Sequence, residues 1–229
     1  MENSGSYEAI RENLRVIREN IGEALEKYRS SGDNTAIMAV TKTVPAETVN
    51  YVFDMGLDLL GENRVQEYQS KADLYDKRAE IHFIGHLQTN KVKYIINSIS
   101  MIQSVDSFKL AQEISRLAIA NNKIMDILCE VNIGGEEAKS GAAPDELDRL
   151  LEQVSSLDGL RIRGLMTIPP PAESDIYLGR MQQLYEQFKG KYAMDTLSMG
   201  MTHDYVQAVR YGSTLVRIGT GLFGARNYK

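Results

Sequence analysis

The sequence has one cysteine, three histidines, no long apolar run and no surplus of positive charge in its 229 residues. Cys129 stands alone inside the apolar run IMDILCEV, so an intrachain disulfide is impossible and the residue reads as a small core side chain. His82, His86 and His203 share no ligand-like spacing with acids or with the cysteine, which argues against a metal hydrolase and leaves no metal ligand to assign. No segment approaches the length of a membrane span. The start, MENSGSYEAIREN, lacks the apolar stretch behind a basic start that a secretory signal needs, so a cytoplasmic protein is expected. A formal charge of -5 and the want of a basic stripe interleaved with aromatics remove the electrostatic footing for nucleic acid.

What is present has the balance of an ordinary globular protein: 43% hydrophobic and 25% charged residues make disorder over most of the length unexpected. One domain is expected over residues 1–229, because nothing in the chain looks like a boundary. Ile10, Leu14, Ile17, Ile21 and Leu25 recur at steps of three and four, which predicts an amphipathic helix within residues 1–34, packed on the rest. Short apolar runs then alternate with helical patterns: AIMAV, LDLLG, IHFIG, SMIQSV, DILCEVNI, RIRGLM, DTLSMG and STLVRIG. Helix signals lie between them, such as Pro45 opening and Gly56 closing PAETVNYVFDMG, and Pro144 opening PDELDRLLEQVSSL. Strand and helix in alternation call for parallel pairing with right-handed crossovers. Eight such units are the number that closes a (β/α)8 TIM barrel, with an open doubly wound sheet as the alternative. The triple proline of TIPPPAESD reads as a stiff surface loop, and QTNKVKY as a solvated helix face.

In such a barrel the functional groups gather at the carboxyl ends of the strands, which here means Lys42, Asn63, His86, Asn132, Met166, Ser198 and Arg217 with Gly219. A lysine at a partly desolvated strand end has its ammonium form disfavoured, and the neutral amine can attack a carbonyl. Many strand-end lysines simply snorkel into water, so Lys42 needs corroboration. Gly219, Gly221 and Gly224 have the G-x-G-x-x-G spacing of a dinucleotide fingerprint, but only Ala225 to Lys229 follow, where that motif needs a helix, a strand and an acid. The local physics remains: glycines let backbone N–H groups approach an anion, at the loops where barrels often hold phosphate. LSMGMTHD adds a second small-residue loop with the hydroxyls of Ser198 and Thr202. Arg217 lies in the apolar strand TLVRIG, where a guanidinium needs either a structural carboxylate or a functional partner such as a ring nitrogen. An amine, a phosphate loop and an arginine facing a pyridine nitrogen together describe a site for pyridoxal 5'-phosphate.

The segments AVTKT, LLGENRVQEY, IHFIGHLQTNK, VNIGGEEAKSG, IRGLMTIPPP and LSMGMTHDYVQAVRYGSTLVRIGTGLFGAR run in order from about Ile37 to Arg226. In these the chain resembles the pyridoxal phosphate homeostasis proteins, whose barrel is similar to the N-terminal domain of alanine racemase. The resemblance implies that Lys42 forms the internal aldimine, that Arg217 faces the pyridine nitrogen, and that Ser198, Gly219 and Thr220 hold the phosphate. Asn63 and Met201 would neighbour the ring. Many members have serine where this chain has Thr202, and the position of His86 is variable among them, so His86 receives no role. An arginine at the ring nitrogen discourages its protonation and weakens the ring as an electron sink. Two-base racemisation needs a second proton carrier, which alanine racemase takes from a further β-domain. The resemblance therefore implies a protein that holds and delivers the cofactor, influences amino-acid and keto-acid balance, and has no catalytic residue. A racemase-like enzyme dependent on the cofactor is the alternative. A class I aldolase acting through Lys42 and a dinucleotide oxidoreductase are more distant rivals. Apoenzymes that accept the cofactor are the expected partners, and a monomer the expected state.

Overall fold

A computed structural model describes residues 2–225, with side chains from residue 6 onward; Arg226, which ends the last quoted motif, lies outside the described residues. Eight parallel strands form a closed barrel in chain order: β1 (Ala36–Val40), β2 (Leu59–Glu62), β3 (Glu80–Phe83), β4 (Met101–Val105), β5 (Met125–Glu130), β6 (Leu160–Met166), β7 (Thr196–Ser198) and β8 (Leu215–Ile218). Closure comes from β1 against β8, where Met38 lies opposite Arg217 and Ala39 opposite Ile218. The fold is thus the TIM barrel that the alternation predicts, and all eight apolar runs supply a strand.

The helices are α1 (Glu2–Tyr28), α2 (Ala46–Asn50), α3 (Val65–Lys71), α4 (Phe108–Ala120), α5 (Leu147–Ser155), α6 (Ser174–Lys189), α7 (Tyr205–Arg210) and α8 (Thr220–Phe223). Helix α4 shows how the sequence sets them. Ser107 accepts the N–H of Leu110 at the start, and Leu110, Ala111, Ile114 and Ala118 fall on one buried face. Three helical stretches differ from expectation. PAETVNYVFDMG runs as α2 and then as a 3-10 turn over Tyr51–Met55 before Gly56 caps it at φ 68. QTNKVKY is a 3-10 helix over Thr89–Tyr94. Its threonine, asparagine and valine are indifferent α-helix formers, and Val92, Ile95, Ile96 and Ile99 reach the core nonetheless. Helix α5 begins at Leu147, three residues after Pro144.

The core lies mainly between the barrel wall and the outer helices. Ile10, Leu14, Ile17, Ile21 and Ala24 of α1 are buried in it, while Leu25 is only partly covered. Burying each of the four larger side chains contributes about 1.5–3 kcal/mol. Helix α1 packs on α7 and α8, the latter of only four residues, and so fills the part of the outer ring that α8 is too short to cover. Asn13 donates to the Leu222 carbonyl at 3.0 Å and Asn20 to the Tyr205 hydroxyl at 2.7 Å, which fixes the helix across the last two units. Inside the barrel, small apolar clusters (Met38, Val40, Ile84 and Leu215; Met101, Leu128 and Met166) coexist with a polar column of His82, Gln103, Ser198 and Arg217.

Candidate functional site

A cavity of about 200 Å³ opens at the carboxyl ends of the strands. Lys42, Asn63, Met201, Arg217, Gly219 and Thr220 all line it, so residues up to 178 positions apart that the sequence singled out meet in one place. Val40, Ile84 and Ile168 give it apolar walls, and Thr202 and His203 complete the rim.

Each polar group is set by its own local structure. Arg217 is buried in β8; its Nη1 donates to Ser198 Oγ at 2.7 Å and its Nη2 to the Thr167 carbonyl at 2.8 Å. Ser198 does not line the cavity. It is fully buried, and its hydroxyl accepts from Arg217 while donating to Gln103 Oε1 at 2.7 Å. The Gln103 amide nitrogen lies 2.9 Å from His82 Nδ1, and His82 Nε2 lies 3.2 Å from Glu80 Oε1. With the amide as donor to Nδ1, the imidazole carries its proton on Nε2, toward Glu80. A hydrogen-bonded column therefore descends from the cavity floor to the opposite end of the barrel. Burial lowers the Arg217 guanidinium to about 10, with Glu130 and Asp204 acting in the other direction, and the side chain remains a cation at neutral pH. Burial, followed by the neighbouring Asp106 charge, raises the Glu130 carboxyl to about 7 against the opposing pull of Arg217.

At the other side of the cavity, Thr202 Oγ1 accepts the N–H of Gly221 at 3.1 Å and lies 3.4 Å from the Thr220 hydroxyl. A Cβ on residue 221 would stand 2.9 Å from Thr202 Cγ2, so glycine is what lets the two final loops touch. Asn63 follows β2, and its side-chain oxygen is buried without a hydrogen-bond partner. Gly85 passes directly beneath it: a Cβ there would lie 2.1 Å from the Asn63 carbonyl oxygen. The amine, the guanidinium and the paired hydroxyls thus offer a nucleophile, a fixed cation and anion-binding donors around an apolar slot.

Other strand-end residues stand elsewhere. Asn132 shapes its own loop, accepting the Glu136 N–H at 3.2 Å and donating to the Glu136 carbonyl at 2.9 Å. Met166 is buried in the core. His86 is exposed, 3.2 Å from Ser140 Oγ and 3.6 Å from Asp106. Gln103 and Glu130 are the site-related residues that sequence reasoning passed over. Their signal was available, because a polar or charged side chain inside an apolar strand needs a buried partner. Among the described residues no group of His, Cys, Asp and Glu could hold a metal ion, and no helix is long and apolar enough to cross a membrane. The Cys129 thiol is buried and pushed up to about 12 by that burial.

Residues 6–227 match the model of the alanine racemase N-terminal domain family. The pyridoxal phosphate homeostasis protein of Aquifex aeolicus is 43% identical over 225 residues, covering 95% of this chain and 98% of its own. PipY of Synechococcus elongatus PCC7942, solved with pyridoxal phosphate bound, superposes with a TM-score of 0.79 at 30% identity, over 94% of this chain and 100% of its own. Its structure without the cofactor superposes at 0.83 with the same identity and coverage. Agreement over nearly the full length of both partners, together with a barrel whose marked residues converge on one cavity, means that this chain belongs to the pyridoxal phosphate homeostasis protein family.

Proposed function

We propose that the protein binds pyridoxal 5'-phosphate in the cavity at the carboxyl ends of the strands, holds it covalently through Lys42, and serves as an intracellular reservoir of the cofactor. The observation that carries this reading is the convergence of Lys42, Arg217, Thr202 and Thr220 on one small slot. The fit has independent support in the buried, unpartnered oxygen of Asn63 and in the close passage of Gly221 against Thr202. When bound, the cofactor supplies an aldehyde and an electron-withdrawing ring. Lys42 would supply the amine that holds the aldehyde, a link that exchange with another amine would reverse.

Arg217 is assigned to the ring nitrogen. A guanidinium held by Ser198 and Thr167 is a donor that does not give up its proton, so the nitrogen stays unprotonated and the ring a weak electron sink. Such an arrangement suits a racemase that avoids a long-lived carbanion and a protein that only holds the cofactor equally well. The phosphate is assigned to the Thr202 and Thr220 hydroxyls with the backbone of Gly219, while Ser198 acts one layer below by steadying Arg217. Release to apoenzymes that use the cofactor would link the protein to amino-acid and keto-acid balance.

A visible spectrum of the purified protein, before and after borohydride, tests the reading. The expected result is a yellow band that reduction bleaches and that Lys42→Ala abolishes. An identical reducible band in the variant would assign the link to a different lysine. Exchange of an amino-acid α-proton in deuterated water faster than with the free cofactor would instead favour a racemase-like enzyme.

A further inference from the structure

Lys42 sits in a turn whose shape is set by a neighbouring helix. Thr43, which follows it, has φ 64, a left-handed conformation that a β-branched residue adopts only where its surroundings impose it. The Thr43 N–H donates to Glu67 Oε1 at 2.6 Å. On the other side of Lys42, the Thr41 carbonyl accepts from Lys71 Nζ at 3.1 Å and from the Val44 N–H at 3.0 Å. Glu67 and Lys71 lie one turn apart on α3 and bond to each other at 2.5 Å, with side chains only 19% and 13% exposed. Burial alone would raise the Glu67 carboxyl, but the bonds from Lys71 and the Thr43 N–H together hold it below its ordinary value. Neither residue lines the cavity.

We propose that Glu67 and Lys71 are positioning residues that clamp the peptide units on either side of Lys42 and so aim its amine into the cavity. The inference rests on the reading that Lys42 carries the cofactor. The direction in which a long lysine stem leaves the backbone limits the space that its amine can reach. The peptide units before and after Lys42 each receive one bond from the Glu67–Lys71 pair. The pair also bonds internally, so neither contact can drift without disturbing the other. An ordinary i,i+4 ion pair on a helix surface needs no backbone partners at all. Here each member of the pair also bonds to the backbone of one of the two residues that flank Lys42.

The test follows the rate at which added pyridoxal phosphate forms a borohydride-reducible product with the apo-protein, and identifies the labelled lysine by peptide mass. Thermal unfolding of each variant establishes that it is folded. Glu67→Ala is expected to form the product about tenfold more slowly, the usual weight of one charged hydrogen bond, with label appearing on other lysines. Glu67→Gln keeps an acceptor for the Thr43 N–H and should recover most of the rate. Thr43→Gly placed in the Glu67→Ala background should also recover it, because glycine takes the left-handed conformation unaided. A purely structural role for Glu67 would not respond to that second substitution. Hydrogen exchange of residues 41–44 in the apo-protein reads the clamp without the cofactor: protection should fall in Glu67→Ala and in Lys71→Met. Wild-type labelling rates in Glu67→Ala, a slowed rate that Thr43→Gly leaves unchanged, or unaltered protection of 41–44 would each overturn the clamp. Wild-type protein labelled only on a lysine other than Lys42 would instead sink the cofactor reading itself, and the clamp's purpose with it.

Discussion

At the amino ends of the strands, Arg163 Nη1 bonds to Asp126 at 2.7 Å and also pairs with Asp195, while Arg161 grips Asp126 through two nitrogens at 2.6 and 2.8 Å. At the carboxyl ends, Lys42 and Arg217 face one cavity with hydroxyl and backbone donors beside them, and Glu130, one of the carboxyls that act on Arg217, is raised toward neutrality. The cavity at the amino end is the larger of the two, about 300 Å³ against about 200 Å³, so size does not identify the functional end. Charge does. The amino end answers its own charges with opposite ones. The carboxyl end instead gathers an amine, a guanidinium, hydroxyls and backbone donors around one apolar slot, a setting suited to an anionic ligand.

Three substitutions separate the two ends. Arg217→Met should produce the largest effect, a loss in pyridoxal phosphate affinity of about 100-fold measured by titration of the folded variant, with a lowered unfolding temperature. A charged hydrogen bond to a ligand is worth about 1.5–3 kcal/mol, and the buried Thr167 carbonyl and Ser198 hydroxyl each lose a donor in the variant. Glu130→Gln comes next and is a pH effect. A carboxyl raised to about 7 in the folded chain keeps its proton longer there than when unfolded, so ionising it costs nothing below about pH 4 and progressively more as pH rises through 7. The variant should match wild type in acid and exceed it at pH 8 by about 2–3 kcal/mol in denaturant unfolding. Equal stability at both pH values would show that Glu130 is not strained by its setting. The smallest effect belongs to the amino end: Arg163→Met takes the cation from Asp195 and leaves Asp126 to Arg161 alone, and should cost about 1–2 kcal/mol, between the values for exposed and buried pairs, with cofactor affinity untouched. A fall in affinity there would mean that the polar column from Glu80 to Arg217 transmits changes between the ends.

The barrel was legible because its strands are continuous apolar runs bounded by polar turns, and burial on both faces demands such runs. Helices whose first residues are β-branched or asparagine were harder, as at Thr89–Tyr94, where core contacts made by Val92 and Ile95 survive a change from α to 3-10 winding. In the site, Lys42 stood out as a charge just past an apolar strand and Arg217 as a charge within one. The choice between Ser198 and Thr202 could not be read in the same way. Both hydroxyls belong to one short segment, and only the turn at Met201–Asp204, where the Met201 N–H bonds to Asp204 at 2.7 Å, puts Thr202 at the rim and leaves Ser198 inside. Gln103 was visible as a polar residue in SMIQSV, but its partner lies 95 positions away on a strand whose inward face only the closed barrel defines.

The bond from Asn13 to Leu222 joins residues 209 positions apart, and β1 finds its second neighbour in β8. On a ribosome the first helix emerges long before the two short helices it seals, so through most of translation its apolar stripe has no seat. The loops assigned to the phosphate follow β7 and β8 and so are made after the other strand ends of the barrel. On the proposed assignment, loading therefore waits for the closed barrel, and a nascent chain stalled before β8 would carry Lys42 without the loops proposed to hold the phosphate.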